Sequence, residues 1–103
     1  MSKSFEVFAS EAPEVQKAWM EMAEKLDKKS ALDKKTEELS YISVLSAVGL
    51  ESGIPFHTSM VKANGASRDE IISSILLGLP AVGSKVIKSL PIGLEAYDNL
   101  DLK

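Results

Sequence analysis

The feature that most constrains this chain is a stop-and-restart signal between residues 64 and 70. Asn64-Gly65 is a strong helix C-cap, because glycine tolerates the left-handed backbone on which many helices end. Ser67-Arg68-Asp69-Glu70 follows at once, with Ser and Glu at the spacing of a capping box. A chain that closes one helix and opens the next within a few residues is committed to helices packed on one another. The remaining punctuation divides it in the same way. A first helix is predicted from about Pro13 to Lys28, with Val15, Ala18, Trp19, Met22 and Leu26 at helical spacing as its core face. A second runs from Leu32 or Asp33 to Gly49, and a third from Ile54 or Pro55 to Asn64. The fourth begins near Arg68 and carries Ile71, Ile72, Ile75, Leu76, Leu77 and Leu79, a wide apolar face that suits a central helix or a subunit interface. From Pro80 a last helix continues through Tyr97, with a kink expected at Pro91. The expectation is an all-α bundle of about five helices.

At 103 residues the chain is expected to be a single domain, 1–103, with a modest core that oligomerisation would help to stabilise. Twelve basic against fifteen acidic residues give a net charge of −3, and the basic footprint of a nucleic-acid binder is missing. No run of eighteen consecutive apolar residues and no signal-peptide pattern is present, so no membrane role is expected and a cytoplasmic location is. The sharpest negative fact is the complete lack of cysteine. It removes disulfides, thiolate metal sites and any thiol nucleophile.

Polar residues on apolar faces point to a site. On a helical wheel the second helix places Val44, Val48, Tyr41, Leu45 and Ile42 on one arc, and Glu38 falls inside it. Glu37 falls near the edge of that arc, so periodicity does not choose between the two carboxylates. On the third helix His57, the only histidine, lies among Ile54, Phe56, Met60, Val61 and Ala63, with Thr58, Ser59 and Lys62 on the other side. A buried carboxylate and a buried imidazole are costly apart and tolerable together, so Glu38 and His57 are expected to meet. Such a pair holds the ring in one orientation, as a general acid or base requires. The same spacing also fits a core histidine satisfied by a helix-start carboxylate.

The remaining candidates have plain alternatives. Tyr41 could present its phenol to the same pocket or serve as core. Arg68 could hold a substrate carboxylate or a partner's acidic side chain, or be a solvated first-turn residue, and Lys85 and Lys88 are similar cases. Ser52, in the connector, has no strained elbow around it to make it a nucleophile. One histidine without cysteine gives no recognisable metal-ligand set, and the glycines match no phosphate-binding fingerprint, so no metal or cofactor is expected.

Three segments resemble the carboxymuconolactone decarboxylase family, which includes the alkylhydroperoxidase D-like proteins. They are Leu32-Asp-Lys-Lys-Thr-Glu-Glu-Leu39, Leu50-Glu-Ser-Gly-Ile-Pro-Phe-His57 and Lys62-Ala-Asn-Gly-Ala-Ser-Arg-Asp-Glu-Ile71. Phe8 to Val15 and Ala18-Trp19 resemble the family's first helix. The resemblance implies a helical bundle forming dimers, trimers or hexamers, with a pocket at helix junctions and partly at subunit boundaries. In the peroxidase-like branch a helix-start Glu, a Cys-x-x-Cys and a His activate a thiolate. Glu38 and His57 match that Glu and His, whereas Leu50 and Gly53 stand where the cysteines would be. Alkylhydroperoxidase or peroxiredoxin-like activity by that route is therefore disfavoured. The decarboxylase branch does without the cysteine pair and without a cofactor. The resemblance implies lyase-like chemistry on a small organic acid, with His57 delivering a proton and Glu38 orienting it. A noncatalytic oligomeric binding protein is the alternative of another class.

Overall fold

The computed structural model describes residues 3–99, and these are helical almost throughout. They fall into two compact units, one ending at Asp33 and the other beginning at Lys34.

The first unit holds α1 (Lys3–Glu11) and α2 (Pro13–Lys29). Pro13 opens α2, where its missing N–H is not needed. The helix α1 lies ahead of the five helices expected from the sequence. It meets α2 through an edge-to-face cluster of Phe5, Phe8 and Trp19, with ring centroids 5.7–6.1 Å apart. Neither helix has a buried residue, which corrects the expected first-helix core. Val15, Trp19, Met22 and Leu26 are all exposed, and so is Ala18. Two helices of 9 and 17 residues cannot enclose an interior by themselves.

The second unit has the core. Its helices are α3 (Lys34–Val48), α4 (Ile54–Ala63), α5 (Arg68–Leu76), the one-turn α6 (Leu79–Val82) and α7 (Ser89–Asn99), with 3₁₀ turns at Glu51–Gly53 and Gly83–Lys88. α3 packs on α4 and α5, and both of these pack on α7. Between them lie Ile42, Leu45, Ile54, Val61, Ala66, Ile71 and Ile75, with Leu39, Leu76, Leu90, Ile92 and Tyr97 around the margin. At Gly93 a Cβ would fall 2.7 Å from Ile75 Cδ1 and 3.5 Å from Ile54 Cγ2, so α7 sits close against the core.

The stop-and-restart signal is built as its residues specify. Gly65, at φ +92°, closes α4, where the N–H of Ala66 donates to the Val61 carbonyl (3.0 Å) and that of Gly65 to Lys62 (3.0 Å). Ser67 then caps α5. Its Oγ accepts from the Glu70 N–H at 3.1 Å, and the Glu70 carboxylate accepts from the Ser67 N–H at 2.8 Å.

The C-terminal third departs from expectation. α5 stops at Leu76 and Gly83 turns at φ +74°, so the anticipated long last helix is divided into α6, a 3₁₀ stretch and α7. Pro91 lies in the first turn of α7, where its missing donor has no partner to lose, and the kink expected there is replaced by the break before Ser89. Within Arg68–Asn99 an 18-residue stretch has the mean hydropathy of a membrane span, 1.5. Its longest α-helical piece is nevertheless only 11 residues, about half of what a bilayer requires.

Candidate active site at the seam of α3 and α4

The connector after Gly49 turns the chain back so that α4 runs antiparallel to α3. Gly53 lies against Leu45, and one turn further on His57 meets Glu38. His57 Nδ1 is 2.9 Å from Glu38 Oε2. The structure thus joins the two residues that spacing had placed on facing apolar stripes, and it selects Glu38 over Glu37. Glu38 is 7% exposed, whereas the His57 side chain retains 23% of its surface. The carboxylate accepts Nδ1–H, which leaves Nε2 as the nitrogen available to a reactant. A buried carboxylate is affordable here only because it has partners. Besides His57, the Lys34 ammonium lies 3.8 Å from the other oxygen, Oε1, one helical turn before Glu38.

Two aromatic rings flank the imidazole. Tyr41 stands edge-to-face at 4.6 Å between centroids, and Phe56 at 5.2 Å. Tyr41, 42% exposed, is therefore not a core residue, and its ring lines the surface on which His57 opens. Phe56 reverses its expected place: it is half exposed, and Thr58, assigned to the outer side, is fully buried. Val44 and Val48 are likewise exposed, while Ser46 is buried. In both helices the buried arc is turned away from the apolar arc of the wheel. The cause is that α3 must cover α4 and α5 together, and α4 must cover α3 and α7 together. His57 consequently sits at the rim of the core and not within it.

Arg68 is held elsewhere. Its Nε and Nη2 donate to the two oxygens of Asp98 at 2.8 and 2.9 Å. This pairing raises the guanidinium pKa further and holds the Asp98 carboxyl below the usual carboxylate range. Glu70 is also lowered, first by the Ser67 backbone hydrogen bond and then by Lys35, whose ammonium lies 2.9 Å away. Among the described residues, none of these contacts links Arg68 to His57 or Glu38. Ser52 is exposed in the connector, and no group of three or more potential ligands is gathered for a metal among the described residues. Lys34 is the one member of the site that the sequence did not single out. Its place four residues before Glu38 was the available signal.

The seam therefore offers a proton-carrying ring held by a carboxylate, a neighbouring ammonium and two apolar walls. The sequence profile of the carboxymuconolactone decarboxylase family matches residues 13–92. This chain belongs to that family. No curated protein and no solved structure gives a significant match to it. The matched region contains the whole Glu38–His57 seam, and the all-α architecture is that of the carboxymuconolactone decarboxylase family.

Proposed function

We propose that this family member performs cofactor-free acid/base chemistry of the lyase type on a small carboxylated compound, with His57 moving the proton and Glu38 holding the ring. The observation that carries this reading is the 2.9 Å contact from Glu38 to Nδ1 on an imidazole that is still partly open to solvent. A histidine kept only for packing has no need of an open face, whereas a proton carrier needs one nitrogen anchored and the other reachable. In a decarboxylation the bond from the carboxylate carbon to the ring carbon breaks and carbon dioxide leaves. The electron pair passes into the adjacent unsaturated carbonyl system, and the doubly protonated imidazole gives the proton of Nε2 to carbon, leaving a neutral ring that still donates Nδ1–H to Glu38. The aromatic walls lower the local polarity, which favours loss of charge from the carboxylate.

The absence of cysteine from the sequence argues against a thiol peroxidase or disulfide reductase. Exposed Val44, Val48, Leu50 and Phe56 beside the seam favour a homo-oligomer, and they also support the second reading, a noncatalytic binding assembly. We place the protein in the cytoplasm, with a small organic acid as partner and no role on nucleic acid or membrane. The test is carbon dioxide release from carboxymuconolactone by the wild type beside His57→Asn, whose amide can still donate to Glu38 and keep the fold. Turnover lost only in the variant supports the enzyme. No turnover in either protein, at any reasonable concentration, removes this substrate and shifts the reading to the binding assembly.

A further inference from the structure

We propose that the Tyr41 hydroxyl is a catalytic hydrogen-bond donor of this site, holding the substrate's carbonyl oxygen while it carries the charge of an enolate. This rests on the acid/base reading above and on the unsaturated carbonyl which that chemistry requires. When the bond to the carboxylate carbon breaks and carbon dioxide leaves, the electron pair is delocalised onto the carbonyl oxygen. That oxygen stays charged until carbon takes the proton of Nε2 and the carbonyl is restored. A donor set against it strengthens as charge builds, so it lowers the barrier to reaction and does more than bind the ground state. Tyr41 keeps its own proton throughout, and the imidazole regains its second proton from water. His57 cannot fill both places, because Nδ1 is held by Glu38 and the proton of Nε2 goes to carbon.

Glu38, Tyr41 and Phe56 stand against the imidazole. The carboxylate is an acceptor and Phe56 has no polar atom, so the phenol is the one donor of the three. Tyr41 follows Glu38 by three residues and so shares its face of α3, and its ring is braced edge-to-face on His57 at 4.6 Å between centroids. With the two rings this close, one small flat molecule can put a carbon at Nε2 and its carbonyl oxygen at the phenol. The hydroxyl is not engaged by the fold. Among the described residues it makes no hydrogen bond, and the residue is 42% exposed. Tyr97 supplies the contrast, since its hydroxyl already donates to the Ala66 carbonyl at 2.9 Å. Arg68, the donor suggested by sequence, is occupied in a two-point pair with Asp98.

The experiment uses tetronate, the stable enolate of a five-membered unsaturated lactone, and its O-methyl ether, which keeps the flat ring and lacks the enolate charge. Each is titrated into the full chain, and binding is followed through the His57 imidazole resonances. Backbone amide spectra confirm that each variant is folded. Tetronate should perturb His57 in the wild type. Tyr41→Phe keeps the ring contact and removes only the hydroxyl, so it should weaken tetronate at least about tenfold and leave the methyl ether nearly unchanged. Tyr97→Phe should change neither. Wild-type tetronate binding in Tyr41→Phe, or equal weakening of both ligands, overturns the assignment while leaving the acid/base reading intact. Failure of tetronate to perturb His57 in the wild type overturns it as well. A Tyr41-dependent preference for tetronate in a protein that releases carbon dioxide from no lactone would keep the donor and remove the lyase.

Discussion

The two ends of α4 both carry polar side chains at a helix seam, and they are built for different purposes. At the C-terminal end every group is engaged inside the protein. Lys62 Nζ donates to the Tyr97 carbonyl at 2.8 Å and lies 4.4 Å from the centre of its ring, the Tyr97 hydroxyl donates to the Ala66 carbonyl at 2.9 Å, and Arg68 grips Asp98 nearby. These bonds tie α7 to the turn between α4 and α5. At the N-terminal end His57 is, among the described residues, fastened through one nitrogen, and the rings beside it are half exposed. One end closes a fold and the other leaves an imidazole partly open to solvent. What separates them is whether the polar groups are used up by the protein itself.

The largest expected effect breaks the open end. His57→Asn should reduce turnover of a carboxylated substrate by about 10²–10⁴, the usual contribution of a positioned proton carrier, with a cooperative thermal transition retained. A variant that melts normally and keeps wild-type turnover would show that the open imidazole is not chemical.

The same pair gives a sharper test in stability. Removing one member of a buried pair is costly according to how buried the survivor is. His57→Ala strands a carboxylate that is 7% exposed, whereas Glu38→Ala strands an imidazole that is more exposed and can remain neutral. His57→Ala should therefore be the more destabilising of the two, with a loss of about 1–3 kcal/mol by denaturant titration. The reverse order would mean that the charge resides elsewhere in the network.

How far the sequence carried this picture follows from what each signal encodes. The caps were legible because they depend on neighbours within a few residues: Ser67 with Glu70, and Gly65 with Val61 and Lys62. Glu38 and His57 were legible because a titratable residue on an apolar stripe asks for a partner. The orientation of the stripes was not, since the direction a helix turns its face is set by how many helices it covers, and a wheel contains one helix only. That is why Phe56 and Tyr41 open onto the surface and Thr58 is inside. The helix α1 was missed because a nine-residue element offers too few periodic positions, and the division before α7 because Pro91 drew attention from Gly83. Lys34 was not singled out, because a lysine at a helix start carries no pattern of its own, and its nearness to Glu38 is visible only in the structure.

At the closed end the expected effects are smaller and confined to stability. Tyr97→Phe removes one hydrogen bond to the Ala66 carbonyl and should cost about 0.5–1.5 kcal/mol, with turnover unchanged. A loss of turnover equal to that of the His57 variant would join the two ends into one functional unit and end the distinction drawn between them.

The smallest effect distinguishes the ends by pH. Asp98 and Glu70 are both held below the ordinary carboxylate range in the folded chain, by Arg68 and by the Ser67 backbone with Lys35 respectively. Between the depressed folded values and the ordinary unfolded ones, the unfolded chain binds more protons, so stability must fall as pH falls through that interval. The contribution is complete above the ordinary carboxylate range and is lost once the folded carboxyls are protonated. Both groups are substantially exposed, with 46% and 39% of their side-chain surface accessible, so solvent screening keeps the slope shallow. Melting temperatures between about pH 6 and pH 3 should then decline less steeply in Asp98→Asn than in the wild type. Glu70→Gln retains the capping hydrogen bond and loses only the charge toward Lys35, so it should flatten the acid limb less than a substitution that also removes the cap. Parallel curves for wild type and Asp98→Asn would show that the Arg68 pair contributes nothing to the acid limb, and that α7 is secured by its core packing and by Tyr97 and Lys62.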